Sequence, residues 1–366
     1  MESVRHCEQC RLWVVSCAYD CGMSEKLSSV RYSILDLSPV LPGGDARDAF
    51  LRSADLAQHA ERRGYTRYWV AEHHNIPGVA SAATSVVIGY LAQQTKSIRV
   101  GAGGIMLPNH APLVIAEQFG TLESMYPGRI DLGLGRAPGG DGKTARALRR
   151  GLGSSGDTFI SDLGELRGYF GDAGVEGVKA VPGCGLSVPI YILGSSDFGA
   201  RVAAGLGLPF AFASHFAPDY MEYAIKLYRD NFKPSEDLKE PYVMVGMNCF
   251  AAETDREAER LFTSLLQVFT NLIRGTPGLM PAPVESMEGF WNAAEEAHVR
   301  RMTRVSVVGS RATVKAQTEH WIESLGIDEV ILTAHIHDHR ARVRSFEIAS
   351  EVMKEINCER REVCNI

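Results

Sequence analysis

Short apolar runs alternate along this chain with longer segments in which apolar residues recur at helical spacing. Residues 46–63 form one such segment, and Gly64 follows it directly as a helix stop. An alternation of apolar strands with amphipathic helices is typical of βα units around a parallel sheet. Eight such units follow one another from Tyr32 onward. They predict an α/β fold in which the strands form a (β/α)8 barrel.

The hydrophobic pattern sets the predicted bounds of these elements. The strands are expected at Tyr32–Leu37, Arg67–Ala71, Ile98–Gly104, Arg129–Gly135, Val188–Leu193, Phe210–Ala213, Val243–Ala251 and Glu329–Thr333. The helices are expected at Ala46–Arg63, Ala82–Thr95, Leu113–Met125, Asp197–Leu206, Tyr220–Phe232, Asp255–Leu272, Thr313–Ser324 and Arg342–Ile356. Residues 82–95 are apolar around much of the helix. This pattern indicates contact with a second subunit, or a helix that is deeply covered within one subunit.

One stretch interrupts this rhythm before the last βα unit. Residues 275–303 are rich in turn-forming residues and contain methionines. Long excursions from a compact domain often close over a site. We therefore expect a lid-like insertion here, while a surface insertion without a function would show the same pattern.

Composition narrows the range of functions. Of the 366 residues, 45% are hydrophobic and 22% are charged, and the formal net charge is -6. Because no long run of Lys or Arg occurs, neither nucleic acid nor an anionic membrane is an expected partner. No apolar stretch reaches the roughly 20 residues that a membrane-spanning helix needs. A small organic molecule is the expected substrate.

The eight cysteines fall into two groups. Four of them crowd the first segment at spacings that could hold zinc, namely Cys7, Cys10, Cys17 and Cys21. The turn glycines that usually surround a zinc site are sparse in this segment. We therefore expect residues 1–22 to be an N-terminal extension, either native or not, that precedes a functional start at Met23. Residues 23–366 are then the single domain. The other four cysteines are scattered, which favours a reducing cytoplasm.

Chemically distinctive residues occur where predicted strands end. They are Glu72-His73-His74, Gly103-Gly104, Arg136 and Gly194-Ser195-Ser196. Taken singly, such residues are as readily ion-pair partners, helix caps or structural histidines. In a (β/α)8 barrel these residues would lie at the same rim. An arginine, together with serines at the start of a helix, can bind a phosphate. Two glycines leave space for a flat ring to lie against the backbone. Together they predict a site for a phosphorylated cofactor.

Other common catalytic motifs are absent from the sequence. The glycine-rich segments lack the G-x-G-x-x-G frame of a dinucleotide fold, and there is no Walker loop or G-x-S-x-G elbow. The histidines also lack H-E-x-x-H spacing. His73, His74 and His110 could bind a metal, but no further ligand is placed near them, so no metal is expected.

At this point the chain resembles the bacterial luciferase-like monooxygenase superfamily, and within it a substrate-unassigned, single-component bacterial subgroup. The likeness extends from about Tyr32 to the last helix. The segments that carry it are residues 71–75, 103–110, 127–136, 190–196 and 210–218. It implies a TIM-barrel flavin enzyme, usually dimeric. Such enzymes receive reduced FMN from a separate NAD(P)H:flavin reductase and react it with O2 to form a flavin C4a-(hydro)peroxide.

The resemblance also implies roles for individual residues. His73 matches the active-site histidine, and Gly103-Gly104 matches a non-prolyl cis peptide beneath the flavin ring. Arg136, Ser195 and Ser196 match the phosphate-binding positions, and their neighbours Glu72 and Gly194 are expected to contact the cofactor as well. Gly135 stands where the luciferases have a reactive cysteine, so light emission is not implied. Ser195 replaces an acidic residue of the light-emitting enzyme. This replacement is expected to loosen the binding of the ribityl-phosphate end and to change the affinity for flavin.

The expected function is therefore that of an FMN-dependent two-component monooxygenase in which His73 manages a proton. The oxygenation would be a Baeyer-Villiger or aldehyde oxidation, a hydroxylation or an epoxidation. Two alternatives remain open. One is an F420-dependent oxidoreductase that transfers hydride, and the other is a flavin-binding protein without catalysis.

Overall fold

Parallel strands form the centre of the molecule. In the computed structural model, which describes residues 29–137, 139–148 and 158–364, nine strands lie in one sheet. They are β1 (Arg31–Asp36), β2 (Arg67–Val70), β3 (Arg99–Met106), β4 (Ile130–Gly135), β5 (Ile190–Gly194), β6 (Phe210–Phe212), β7 (Val243–Ala251), β8 (Ser306–Gly309) and β9 (Glu329–Thr333). Strands β1 to β7 pair in chain order, β7 pairs with β9, and β9 pairs with β1. Eight strands thus close into a barrel, and the predicted (β/α)8 barrel is confirmed.

Strand β8 lies outside this barrel wall. It pairs in parallel with residues 248–251 of β7, beginning at Asn248, where the pairing of β7 with β9 ends. Strand β8 was not predicted from the sequence.

Helices connect the strands. They are α1 (Ala46–Arg63), α2 (Thr84–Gln94), α3 (Pro112–Met125), α4 (Gly142–Leu148), α5 (Phe159–Phe170), α6 (Asp197–Leu206), α7 (Met221–Asp230), α8 (Asp255–Ile273), α9 (Ala293–Met302), α10 (Arg311–Leu325) and α11 (His339–Cys364). The sequence predicts α1 well because its ends carry strong signals. Asp45 and Asp48 form a capping box, and Gly64 ends the helix at φ 84°. Helices α4, α5 and α9 were not predicted.

Apolar side chains fill both sides of the barrel wall. Tyr68 and Val70 of β2 face the helices, whereas Trp69 and the following Ala71 face the barrel interior. His73 continues this alternation at the end of the strand. The interior cluster consists of Leu35, Trp69, Ala71, Tyr191, Ala211, Met244 and Ile331.

Charged side chains close the amino end of the barrel. Arg67 donates to the carboxylate of Glu329 at 2.8 and 3.1 Å and to that of Asp131 at 2.8 Å. Trp69 donates to Asp131 at 3.0 Å, and Tyr242 donates to Glu329 at 2.7 Å. Burial alone would lower the pKa of Arg67, but these carboxylates raise it. We call Arg67, Asp131 and Glu329 the ionic floor.

The insertion at residues 275–303 packs beside the barrel and ends with α9. Gln267 of α8 donates to the carbonyl of Ala282 at 3.0 Å, and the amide of Met280 donates to the carbonyl of Val40 at 2.9 Å. None of its residues lines the cleft described below. Its role as a lid therefore stays a prediction.

The expectation for residues 1–22, including the cysteine cluster, lies outside the described residues. Within the described ranges, no helix combines the length and the apolar composition that crossing a membrane requires.

Candidate active site

A cleft opens at the carboxyl end of the barrel. The space between its walls, counted out to open solvent, is about 1220 Å³. Its largely apolar wall includes Leu35, Leu37, Trp69, Met106, Phe159, Phe198, Phe216 and Ile331. The predicted site residues that line it are His73, Gly103, Arg136, Gly194, Ser195 and Ser196.

One end of the cleft is suited to an anion. The guanidinium carbon of Arg136 lies 4.0 Å from the centre of the Phe198 ring, which holds the charge at the cleft wall. Ser196 is the N-cap of α6, yet its hydroxyl makes no capping hydrogen bond. That hydroxyl and the first amides of α6 are left for a ligand, where the helix dipole favours negative charge.

Two glycines let the backbone itself form part of the site. Gly103 and Gly104 are joined by a cis peptide bond, as the resemblance implies. A Cβ on Gly104 would lie 2.6 Å from the carbonyl oxygen of Gly133, and a Cβ on Gly103 would lie 2.8 Å from the side chain of Leu35. Neither position has space for a side chain. Gly103 lines the cleft, whereas Gly104 packs against β4, so a cofactor contact of Gly104 stays a prediction.

His73 is a half-buried imidazole in the wall of this cleft. Burial lowers its pKa, and the carbonyl of Gly139 and the carboxylate of Glu72 partly offset that effect. Because a carbonyl accepts only from a protonated ring nitrogen, the other nitrogen of neutral His73 is left as an acceptor. This combination suits a residue that takes up and returns a proton.

Glu72 holds two loops together. Its carboxylate is 1% exposed and contacts Nε2 of His74 at 2.7 Å and Nε2 of His110 at 2.9 Å. The amide of Met106 donates to it at 2.9 Å. Burial alone would raise the pKa of Glu72, but these hydrogen bonds lower it. Because Glu72 does not line the cleft, its predicted cofactor contact is untested, and what the structure shows is a tie between the ends of β2 and β3.

Two further histidines lie at this end of the barrel. His215 follows β6 and lines the cleft, and His335 follows β9. Burial and the neighbouring imidazoles of His335 and His73 lower the pKa of His215 to about 3. Burial and the nearby Arg342 lower the pKa of His335 to about 4. Neither histidine was predicted as a site residue. The search for polar residues directly after predicted strands covered the second to fifth strands, and the same search after the sixth and the last strand would have found both.

Because the pKa values of these two histidines are lowered in the folded protein, we expect acid to destabilise it. Both are neutral when folded, with pKa values of about 3 and about 4, against 6.5 when unfolded. Between pH 6.5 and about 4 the unfolded state therefore binds more protons, and stability falls as the pH falls. We expect the free energy of unfolding to decrease by about 1.4 kcal/mol per pH unit for each histidine. Urea titrations at a series of pH values measure this slope.

Two variants separate the contribution of His215 from the general effect of acid. His215→Gln is expected to reduce the slope by the share of one histidine. His320→Gln, at an exposed position of α10, is expected to keep the wild-type slope. An unchanged slope in His215→Gln would contradict the neutral state of this side chain in the folded protein.

No metal centre emerges among residues 29–137, 139–148 and 158–364, since no three His, Cys, Asp or Glu side chains are grouped as ligands would be. His74 and His110, considered as metal ligands from the sequence, both contact Glu72 instead.

Comparison with known proteins extends these observations. The model of the luciferase-like monooxygenase family matches residues 30–329. A luciferase-like monooxygenase of Escherichia coli strain K12 is 52% identical over 90% of this chain and 98% of its own length. An N-acetyl-S-alkylcysteine monooxygenase of Bacillus subtilis strain 168 is 35% identical over 88% of this chain and 98% of its own. The structure of apo-MsnO8 is similar at a TM-score of 0.83, with 32% identity over 89% of this chain and 98% of that one.

More distant solved structures share the barrel. The oxygenating constituent of 3,6-diketocamphane monooxygenase from Pseudomonas putida, in complex with FMN, has a TM-score of 0.66 at 17% identity, covering 88% of this chain and 97% of that one. An F420-dependent secondary alcohol dehydrogenase has a TM-score of 0.64 at 15% identity, covering 87% and 97%. At such identities the likeness shows the fold alone. The family match and the more similar relatives go further, and this chain belongs to the luciferase-like monooxygenase family.

Proposed function

We propose that this protein is a monooxygenase that uses reduced FMN and O2 to oxygenate a small, largely apolar organic substrate. The observation that carries this proposal is that one cleft combines an anion-binding end, a backbone surface without side chains and a half-buried imidazole. The family match and the relative described as a monooxygenase support the same reaction class.

The cleft fits FMN part by part. Arg136 provides the permanent charge for the phosphate, and Ser195, Ser196 and the first amides of α6 provide neutral donors. The backbone at Gly103 lets a flat ring approach without meeting a side chain. When bound, reduced FMN supplies the electrons that activate O2.

The remaining side chains control water and protons. Trp69 and Leu35 close the inner end of the cleft with apolar surface, which keeps water from the reacting atoms. His73, neutral and with one nitrogen free to accept, takes up and returns a proton during the reaction. In this proposal the cofactor activates O2, while the protein controls the protons and excludes water.

Two partners belong to this proposal. The sequence has no dinucleotide-binding motif, which supports a separate NAD(P)H:flavin reductase as the source of reduced FMN. Three apolar side chains are exposed on the neighbouring helices α2 and α3, namely Val86 (71%), Val114 (42%) and Met125 (55%). Such a surface supports the expected homodimer.

An anaerobic titration with reduced FMN tests the proposal. Wild-type protein is expected to bind reduced FMN and, after mixing with oxygenated buffer, to return the oxidised flavin spectrum more slowly than free FMN does. Arg136→Leu is expected to bind reduced FMN about 10- to 100-fold more weakly, because a charge-assisted hydrogen bond contributes about 1.5–3 kcal/mol.

Arg201→Leu is the matched control, because Arg201 lies on α6 in an exposed pair with Asp197, 3.3 Å away. It is expected to bind as the wild type does. Binding of F420 in place of reduced FMN would point to hydride transfer. Binding of reduced FMN with oxidation as fast as in free solution would point to a flavin-binding protein without catalysis.

A further inference from the structure

His215 occupies a fixed position in the wall of the cleft. Asn248 Nδ2 donates to the carbonyl of His215 at 2.7 Å, and the hydroxyl of Ser214 donates to the carbonyl of Gly246 at 2.6 Å. Both bonds attach the segment after β6 to β7. The imidazole is therefore held against β7 rather than free to turn into solvent.

The ring of His215 has one covered edge. Its Nδ1 is buried and has no hydrogen-bond partner among the described residues. A Cβ on Gly246 would lie 2.5 Å from this nitrogen, so the ring packs directly on the backbone of β7. Because β7 covers Nδ1, the part of the ring that reaches the cleft is the opposite edge, which carries Nε2.

The surroundings of His215 fix its charge and its tautomer. The titratable groups that act on it are the imidazoles of His73 and His335, and burial keeps its pKa at about 3. The ring is therefore neutral at physiological pH. A proton on Nδ1 would be a buried donor without an acceptor, which folded proteins rarely tolerate. The proton is therefore placed on Nε2, as a donor that faces the cleft.

We propose that His215 is a specificity-determining residue whose Nε2–H donates a hydrogen bond to an oxygen of the substrate. His73 offers an acceptor in the same cleft, and the remaining wall is mostly apolar. The substrate class is then a neutral, mainly hydrocarbon molecule that carries a carbonyl-type oxygen. The substrate class rests on the proposed function, whereas the donor at His215 rests on the geometry of the cleft.

Nuclear magnetic resonance of the full chain with 15N-labelled histidine tests this inference. Two probes of similar shape are compared, cyclohexanone with its oxygen and methylenecyclohexane without it. The His215 signal, identified by its loss in His215→Gln, is expected to show a neutral Nε2–H ring from pH 5 to 8. Cyclohexanone is expected to shift this signal and to bind about 5-fold more tightly than methylenecyclohexane.

Three variants control for the shape of the cleft. His215→Leu is expected to remove the preference for cyclohexanone, and His215→Gln, which keeps a donor near the position of Nε2, to restore most of it. Gly246→Ala is expected to displace the ring and to lose the preference with His215 still present. A preference that persists in His215→Leu, or a His215 ring that titrates near pH 6.5, would overturn the inference.

Reduced FMN is titrated into the same samples. Wild-type protein that binds reduced FMN but shows no response of His215 to cyclohexanone refutes the role of His215 alone. Protein that fails to bind reduced FMN while His215 still responds to cyclohexanone refutes the proposed cofactor and retains the donor.

Discussion

Replacing His73 with alanine is expected to make bound reduced FMN return O2 as H2O2 about 10²- to 10⁴-fold faster, the usual range for a positioned acid or base. The half-buried, neutral imidazole of His73 can accept a proton at the reaction site, and without this acceptor that proton would promote the release of H2O2. Affinity for reduced FMN should not change, because the phosphate end of the cleft is intact. Stopped-flow absorbance after mixing with O2, together with a peroxidase assay for H2O2, measures the effect.

His73→Gln is the matched control for space and hydrogen bonding. Glutamine fills much of the volume of the imidazole but does not exchange protons at neutral pH. We expect it to release H2O2 as fast as the alanine variant does. If His73→Ala releases H2O2 at the wild-type rate, His73 has no part in proton control.

Replacing Arg67 with methionine is expected to destabilise the protein by roughly 3–5 kcal/mol. The change removes the cation that joins Asp131 and Glu329, each 0% exposed, and Asp131 keeps its ion pair with Arg99 at 2.6 Å. Urea denaturation followed by circular dichroism measures the loss. Arg67→Lys keeps the charge but loses the two-pronged contact with Glu329, so a smaller loss is expected and this variant should fold.

Arg311→Met provides the surface comparison. Arg311 pairs with Glu355 at 2.6 Å, but the two side chains are 56% and 36% exposed. Such a pair contributes no more than about 1 kcal/mol. Equal urea midpoints for Arg67→Met and Arg311→Met would show that the ionic floor does not stabilise the fold.

The barrel and much of the cleft could be predicted from the sequence because local signals agreed with the global fold. The strand bounds of β7 and β9 and the helix bounds of α1 and α6 were predicted as the structure has them. The placement of His73, Gly103, Arg136 and Ser196 around one cleft followed from the rule that strand ends meet at one rim.

What the sequence could not show depends on contacts between distant segments. Glu72 contacts His110, 38 residues further along the chain, and no local pattern indicates that contact. His215 is a site candidate only because Gly246 leaves room for its ring. The ionic floor joins Arg67 to a glutamate 262 residues away, and no local pattern announces that pairing.

The ionic floor also has a practical consequence for redesign. It closes the barrel at the end opposite the cleft, and none of its three members lines the cleft. Leu37 and Phe216 can therefore be varied in the laboratory without touching a buried ion pair. A combinatorial library confined to such rim positions should yield mostly folded proteins, from which new selectivities can be selected.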